Sequence, residues 1–73
     1  MINLHIKDKF TELFNMEMND DNVNMLLKKP VKKESGIFQM LNSWKKYHTT
    51  DNDLEERALT LIFLKHYNYF KEK

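Results

Sequence analysis

The chain has 73 residues and a formal net charge of +1, with twelve lysines and arginines against eleven aspartates and glutamates. This length suits one domain with a small core, and the near-neutral charge gives no general attraction to nucleic acid or to a membrane surface. Cysteine is absent, which excludes disulfides, thiolate zinc sites and cysteine nucleophiles, while one glycine and one proline are too few for the many tight turns of an all-β fold. We therefore expect residues 1–73 to form a single all-α domain.

The first two predicted helices lie before Pro30. Apolar side chains recur on one face of residues 4–15, namely Ile6, Phe10, Leu13 and Phe14. Asn19 or Asp20 is expected to cap a short second helix, because asparagine and aspartate side chains accept hydrogen bonds from the first turn. That helix must end before Pro30, since proline pushes the residue before it out of the α region.

The third predicted helix, from residue 32 or 35 to residue 47, has the clearest apolar pattern. Ile37, Met40, Leu41 and Trp44 fall at the spacing of one helical face. Trp44 is the only tryptophan of the chain. Because its side chain is so large, we expect it to be buried and to hold this helix against the first and last helices.

The last predicted helix covers residues 54–70, either unbroken or broken near residues 64–67. Asn52 with Glu55, or Thr50 with Asp53, resembles a capping box at its start. The middle turns are apolar on most sides, so this helix either runs through the core or breaks near residues 64–67 into two shorter helices. The complete prediction is a compact bundle of four to six short helices.

A lysine cluster, defined as Lys28, Lys29, Lys32 and Lys33, is the first candidate binding site. Four lysines so close together suit phosphates or an acidic protein surface. No arginine or aromatic residue is interleaved, so base readout and base stacking are poorly supported. Attraction to the C-terminus of the second helix is the alternative explanation for these lysines.

An acidic cluster, defined as Asp51, Asp53, Glu55 and Glu56, is the second candidate site. Carboxylates at the start of a helix are favoured by its dipole, which is a sufficient structural reason for them. Together with the lysine cluster they also permit head-to-tail docking between copies or with a partner. Both explanations stay open at this stage.

Tyr69 is the third candidate, as a contact residue on the surface. Tyr67, Tyr69 and Phe70 cannot all be buried on one helical face, and we expect Tyr69 to be the exposed one.

Catalytic and metal sites are not expected. His5, His48 and His66 are far apart in the sequence and form no ligand spacing, and no glycine-rich phosphate loop is present. We therefore expect no enzyme activity, no metal or cofactor and no small-molecule substrate.

Residues 39–44 carry the pattern xMLxxW and are followed by Thr49, Thr50 and the Leu54 helix. In this order the segment resembles the death-domain superfamily. Upstream, residues 10–16 are similar to the LAxxLGL segment of that family, and residues 21–23 to the start of its next helix.

The resemblance covers most of residues 6–64, with three departures. Thr11 and Asn15 stand where the family usually has alanine and glycine, a first helix is missing, and the loop after Trp44 is shorter than is usual in the family. The resemblance implies a six-helix or reduced five-helix bundle. It further implies an adaptor that docks homotypically through charged faces and has no catalytic role.

A small regulator from a phage, mobile element or bacterium is the competing interpretation, if Met1 is taken as the natural start. Such a protein would bind and inhibit a host protein. A DNA-binding regulator is less well supported, because Gly36 lies too close to Pro30 to supply the turn of a helix-turn-helix. Both interpretations predict a protein partner.

A cytoplasmic location without membrane contact is expected on three grounds. Charges interrupt the N-terminal residues before any apolar signal segment, and the longest apolar run, residues 58–64, is too short to span a bilayer. The absence of cysteine fits a reducing compartment.

Overall fold

The computed structural model describes residues 5–48 and 50–71, in which four α-helices follow one another. Helix α1 spans Ile6–Phe14, α2 spans Asp20–Leu27, α3 spans Ile37–Lys46 and α4 spans Asp53–His66. The predicted all-α bundle is confirmed. The described residues contain four helices, the lower limit of the predicted four to six. Leu4 and Thr49, which the sequence placed in the first helix and in a loop, lie outside those residues.

Helix α4 is the centre of the bundle. The backbones of α1, α2 and α3 each approach α4, and within the described ranges they do not approach one another. The middle of α4 is buried on several sides, through Ala58, Leu59, Leu61, Ile62 and Phe63. The last helix therefore runs through the core, which is one of the two alternatives that the sequence leaves open.

Two apolar clusters lie on different sides of α4. The first joins α1 and α2 to α4 and consists of Phe10, Val23, Leu26, Ala58, Leu61 and Ile62. The second joins α3 and the C-terminal segment to α4 and consists of Ile37, Leu41, Phe63 and Tyr69. Trp44 packs against both clusters.

Two asparagines cap helices, and each is one of the two alternatives that the sequence leaves open. The Asn19 side-chain oxygen accepts a hydrogen bond of 2.8 Å from the N–H of Asn22, at the start of α2. The Asn52 side-chain oxygen accepts one of 3.0 Å from the N–H of Glu55, at the start of α4. Each bond satisfies a donor that the first turn of a helix leaves free.

Helix α4 ends at His66, within the stretch 64–67 that the sequence allows as a break and four residues before the alternative end at Phe70; no second helix follows in the described residues. Asn68 adopts a left-handed conformation with φ of 60°. The N–H of Asn68 then bonds to the carbonyl of Lys65 at 3.2 Å, and that of Tyr69 bonds to the carbonyl of Leu64 at 2.8 Å. This pair of bonds is a Schellman motif, which reverses the chain after the helix.

The reversed C-terminal segment pairs with the chain that follows α2. Val31 and Phe70 form an antiparallel β-bridge. The N–H of Lys32 donates to the carbonyl of Tyr69 at 2.6 Å, and the N–H of Lys71 donates to the carbonyl of Pro30 at 3.1 Å. The end of α2 is thus held close to the end of α4.

Arg57 holds the starts of the same two helices together. Its guanidinium, on the second turn of α4, contacts Asp20 at 2.9 Å and donates to the Asn24 side chain at 2.6 Å, both on α2. Because their starts meet and their ends meet, α2 and α4 run in the same direction. The lysine cluster consequently lies at one end of the molecule and the acidic cluster at the other.

Candidate functional site

The lysine cluster is exposed along its whole length. No described carboxylate lies within ion-pair distance of its four ammonium groups. The β-bridge brings exposed Lys71 to the same place, and we call the five lysines the basic pole. Sequence reasoning missed Lys71, because it joins the cluster only through the chain reversal at Asn68.

The acidic cluster is partly occupied by internal bonds. Asp53 pairs with the Arg57 guanidinium at 3.2 Å, and Glu55 accepts a hydrogen bond of 2.6 Å from the Thr50 hydroxyl. Asp51 and Glu56 are exposed and form no ion pair with any described residue. Half of this cluster therefore serves to organise the start of α4.

Arg57 was overlooked in the sequence, although it is the only arginine of the chain. Its position four residues after Asp53 was the available signal, since that spacing places both on one helical face. The hydrogen bond to Asp20 raises the pKa of Arg57, with a further contribution from the charge of Asp53, while partial desolvation opposes the increase. The guanidinium thus stays charged throughout the accessible pH range.

Tyr69 is buried, so its assignment as the exposed contact residue is wrong. Only 9% of its surface is exposed, against 44% for Tyr67. The left-handed turn at Asn68 directs Tyr69 back against α4, where its ring stacks on Phe63 with 5.9 Å between centroids. Tyr67, the last residue before the turn, is the aromatic that remains exposed.

Trp44 is only partly buried, which corrects the prediction of full burial. Its ring lies 5.7 Å from Phe63 and 4.5 Å from His48, measured between centroids. In the described part of the chain α3 packs against α4 alone among the helices, so one side of the indole has no helix to cover it. Trp44 packs against Phe63 of α4, whereas the backbones of α3 and α1 do not approach each other in the described residues.

An open groove lies between α3 and the end of α4. We call it the aromatic groove, and it is lined by Gly36, Gln39, Met40, Ser43, Trp44, Tyr47, Phe63 and Tyr67. None of these eight residues is charged. Three of them are unusually exposed for large apolar side chains, namely Met40 at 46%, Tyr47 at 73% and Tyr67 at 44%.

Met40 belongs to this groove and not to the core, where the sequence placed it. The spacing of α3 predicts one buried face, but only Ile37 and Leu41 on that helix are buried. The available signal was an excess of apolar residues on α3, because Phe38, Met40 and Tyr47 cannot share one narrow stripe with them.

The aromatic groove adjoins the basic pole through a single residue. The carbonyl of Tyr69 accepts from the N–H of Lys32, while the hydroxyl of Tyr69 donates to the sulfur of Met40 at 3.9 Å. Tyr69 therefore lies beneath both surfaces and fixes their relative position.

A smaller cavity of about 130 Å³ lies on the other side of α3, lined by Lys45, His48, Thr50, Glu56 and Leu59. The Nδ1 atom of His48 is buried there without a hydrogen-bond partner in the described structure. His48 and Glu56 line one cavity but form no hydrogen bond with each other.

Among the described residues, no group of three or more histidines, cysteines or carboxylates is arranged to hold a metal ion. None of the helices in the described ranges is long and apolar enough to cross a bilayer.

Comparison with protein-family models, with curated proteins and with solved structures finds no match to this chain.

Proposed function

We propose that this chain is a non-enzymatic protein–protein interaction module that binds its partner in the aromatic groove. The observation that carries the proposal is the exposure of Met40, Tyr47 and Tyr67 around an uncharged groove. Aromatic residues and methionine are enriched at the centres of protein interfaces, where they supply most of the binding energy. Apolar side chains stabilise a fold only when they are buried, so the exposed Met40, Tyr47 and Tyr67 contribute little to the stability of a domain with so small a core.

The basic pole contributes to the proposed interaction at longer range. Exposed charges add little affinity individually, but they accelerate association with a partner of opposite charge. Because the pole adjoins the groove through Tyr69, a partner attracted by the lysines arrives beside the apolar contact surface.

Two biological roles are compatible with this proposal. The death-domain resemblance suggests a cytoplasmic adaptor with homotypic partners. The alternative is a regulator that binds and inhibits an unrelated protein of its host. The two roles differ in the partner, and both need an apolar docking surface.

The experiment is affinity purification from cells that express the chain, followed by reconstitution of each retained protein in pure form. The test variant carries Tyr47→Ala and Tyr67→Ala. The matched control carries Met25→Ala and Leu27→Ala, which remove two large apolar side chains of α2 that are 49% and 40% exposed. Circular dichroism of both variants checks that the helices remain.

We expect a partner that binds the wild-type chain and the α2 control but loses most of its affinity for the groove variant. A partner that binds all three proteins equally would contradict the proposal, and so would a partner lost only with the α2 control.

A further inference from the structure

The charges around the aromatic groove are predominantly positive. Helix α3 contains no acidic residue and ends with Lys45 and Lys46. The last turn of α4 carries Lys65 and His66. Along the chain the nearest carboxylate is Glu34, which precedes Gly36 by two residues, and it is next to lysine on its N-terminal side. The basic pole adds further positive charge at the edge of the groove, and we call this surrounding charge the basic margin.

The lining residues of α3 form one stripe along the helix. Gly36, Met40, Ser43 and Tyr47 are spaced by three or four residues, which places them above one another. The stripe is about 16 Å long at 1.5 Å per residue, or roughly three helical turns. The groove therefore has the length and direction to accept a short helix beside α3.

A helix fits this groove better than an extended segment. The walls are side chains of α3 and α4, and no free strand edge lies among the residues that line it. An extended peptide would press unpaired N–H and C=O groups against apolar walls, whereas a helix satisfies its own backbone.

From the charge, length and lining of the groove we infer that its occupant is an acidic amphipathic helix of a partner protein. This inference rests on the proposed function. The apolar side chains of that helix, spaced at i, i+3 or i+4 and i+7, fill the groove between Met40, Tyr47 and Tyr67. Its flanking glutamates or aspartates face Lys46 and the basic pole.

A second copy of the chain is a poorer occupant. Among the helices that the structure describes, α2 is the one acidic helix with exposed large apolar side chains, Met25 and Leu27. It has only eight residues, and Lys28 and Lys29 follow directly after it. Docking α2 into the groove would set these lysines against the basic margin.

The test uses Trp44 as an internal probe, because it is the only tryptophan and lines the groove. Two synthetic helical peptides without tryptophan, of about 18 residues or five turns, share the same leucine and phenylalanine anchors. The first peptide has glutamate at all positions that are not anchors, and the second has lysine at the same positions. Each is titrated into the wild-type chain while Trp44 fluorescence is recorded.

We expect the acidic peptide to shift the Trp44 emission to shorter wavelength with saturation, and the basic peptide to bind at least about tenfold more weakly. Added salt should reduce this difference, because it screens exposed charges. In the Tyr47→Ala, Tyr67→Ala variant the acidic peptide should lose its affinity, while the Met25→Ala, Leu27→Ala control should retain it.

Equal or tighter binding of the basic peptide would overturn the inference, and so would the absence of any saturating response. Two further outcomes would assign a different occupant: a dimer of the chain alone that Tyr47→Ala dissociates, or tighter Trp44-detected binding to phosphatidylserine vesicles than to the acidic peptide. If the groove variant still loses its cellular partner in any of these cases, the proposed function stands and only the occupant is wrong.

Discussion

The carbonyl of Tyr69 accepts a hydrogen bond of 2.6 Å from the N–H of Lys32. This contact joins two segments that are far apart in the sequence, the chain after α2 and the chain after α4. Since the hydroxyl of Tyr69 also donates to the sulfur of Met40, one buried residue connects the basic pole, through its backbone carbonyl, with the aromatic groove, through its side chain. Tyr69 therefore fixes the position of the basic pole relative to the aromatic groove.

Phe63 is the core residue whose loss should be most damaging. It is 1% exposed, and the rings of Trp44, Tyr67 and Tyr69 surround it. Phe63→Ala should lower the free energy of unfolding by about 3–5 kcal/mol, because it removes buried area and leaves a cavity. That loss is comparable with the whole stability of a small domain, so urea denaturation should find the variant largely unfolded.

Trp44→Ala is the matched comparison. Removing the partly buried indole should lower the free energy of unfolding by only about 2 kcal/mol, because less of its surface leaves water on folding. A Trp44→Ala protein that is less stable than Phe63→Ala would show that the second cluster depends on Trp44 and not on Phe63.

The cap of α4 should contribute measurably to stability. Asn52→Ala removes the acceptor for the N–H of Glu55 and should lower the free energy of unfolding by about 1 kcal/mol. Asn42→Ala is the control, because Asn42 is exposed in the interior of α3, where alanine is the better helix former. Chemical denaturation of both variants should show a loss at Asn52 and no loss at Asn42; equal losses would exclude a specific cap.

The turn after α4 should tolerate glycine better than alanine. Asn68 has a φ of 60°, a conformation that costs roughly 1–2 kcal/mol for residues with an ordinary Cβ. Asn68→Ala should therefore reduce the melting temperature more than Asn68→Gly. Amide exchange should also accelerate at Lys32 and Lys71 in the alanine variant, because the turn holds their bonding partners in place. Faster amide exchange at Lys32 and Lys71 in Asn68→Gly than in Asn68→Ala would contradict the role of the left-handed conformation.

Features that depend on local sequence were predictable, and Asn19 and Asn52 illustrate why. A cap needs only its own side chain and the next three residues, so the sequence contains the whole interaction. The apolar stripe of α1 and the buried middle of α4 were predictable for a similar reason, since helical periodicity selects the residues of one face.

Features that depend on neighbours in space were not predictable from periodicity. The pattern of apolar residues continues to Phe70, whereas the helix ends at His66, because the conformation of Asn68 decides the end. The exposure of Met40 follows from α3 having a single helical neighbour in the described structure. Arg57 and Lys71 acquire their roles from contacts with residues more than thirty positions away.

Charge reversal at the lysine cluster should weaken binding without unfolding the chain. Replacing all four lysines by glutamate should slow association with the partner, because the pole then repels an acidic surface. The wild-type association rate should fall as salt rises from about 50 to about 500 mM, while that of the variant should not. Surface plasmon resonance with the reconstituted partner measures the association rates of the wild-type chain and of the variant.

Single reversals at Lys32 and Lys7 provide the control. Both side chains are exposed, but Lys7 is on α1, which packs against α4 and not against α3 in the described structure. Lys32→Glu should slow association more than Lys7→Glu. Unchanged association rates in the fourfold variant would mean that the lysines serve only to balance the partial negative charge at the C-terminus of α2.

Photo-cross-linking from within the aromatic groove tests the central claim most directly. Benzoylphenylalanine replaces Tyr47 in one protein and Met25 in another, and both are irradiated in cells that express the chain. Since Tyr47 lines the groove and Met25 lies on α2, the account predicts a discrete protein adduct from position 47 and none from position 25. An adduct from position 25 alone, or from neither position, would contradict the claim that this groove binds a protein partner.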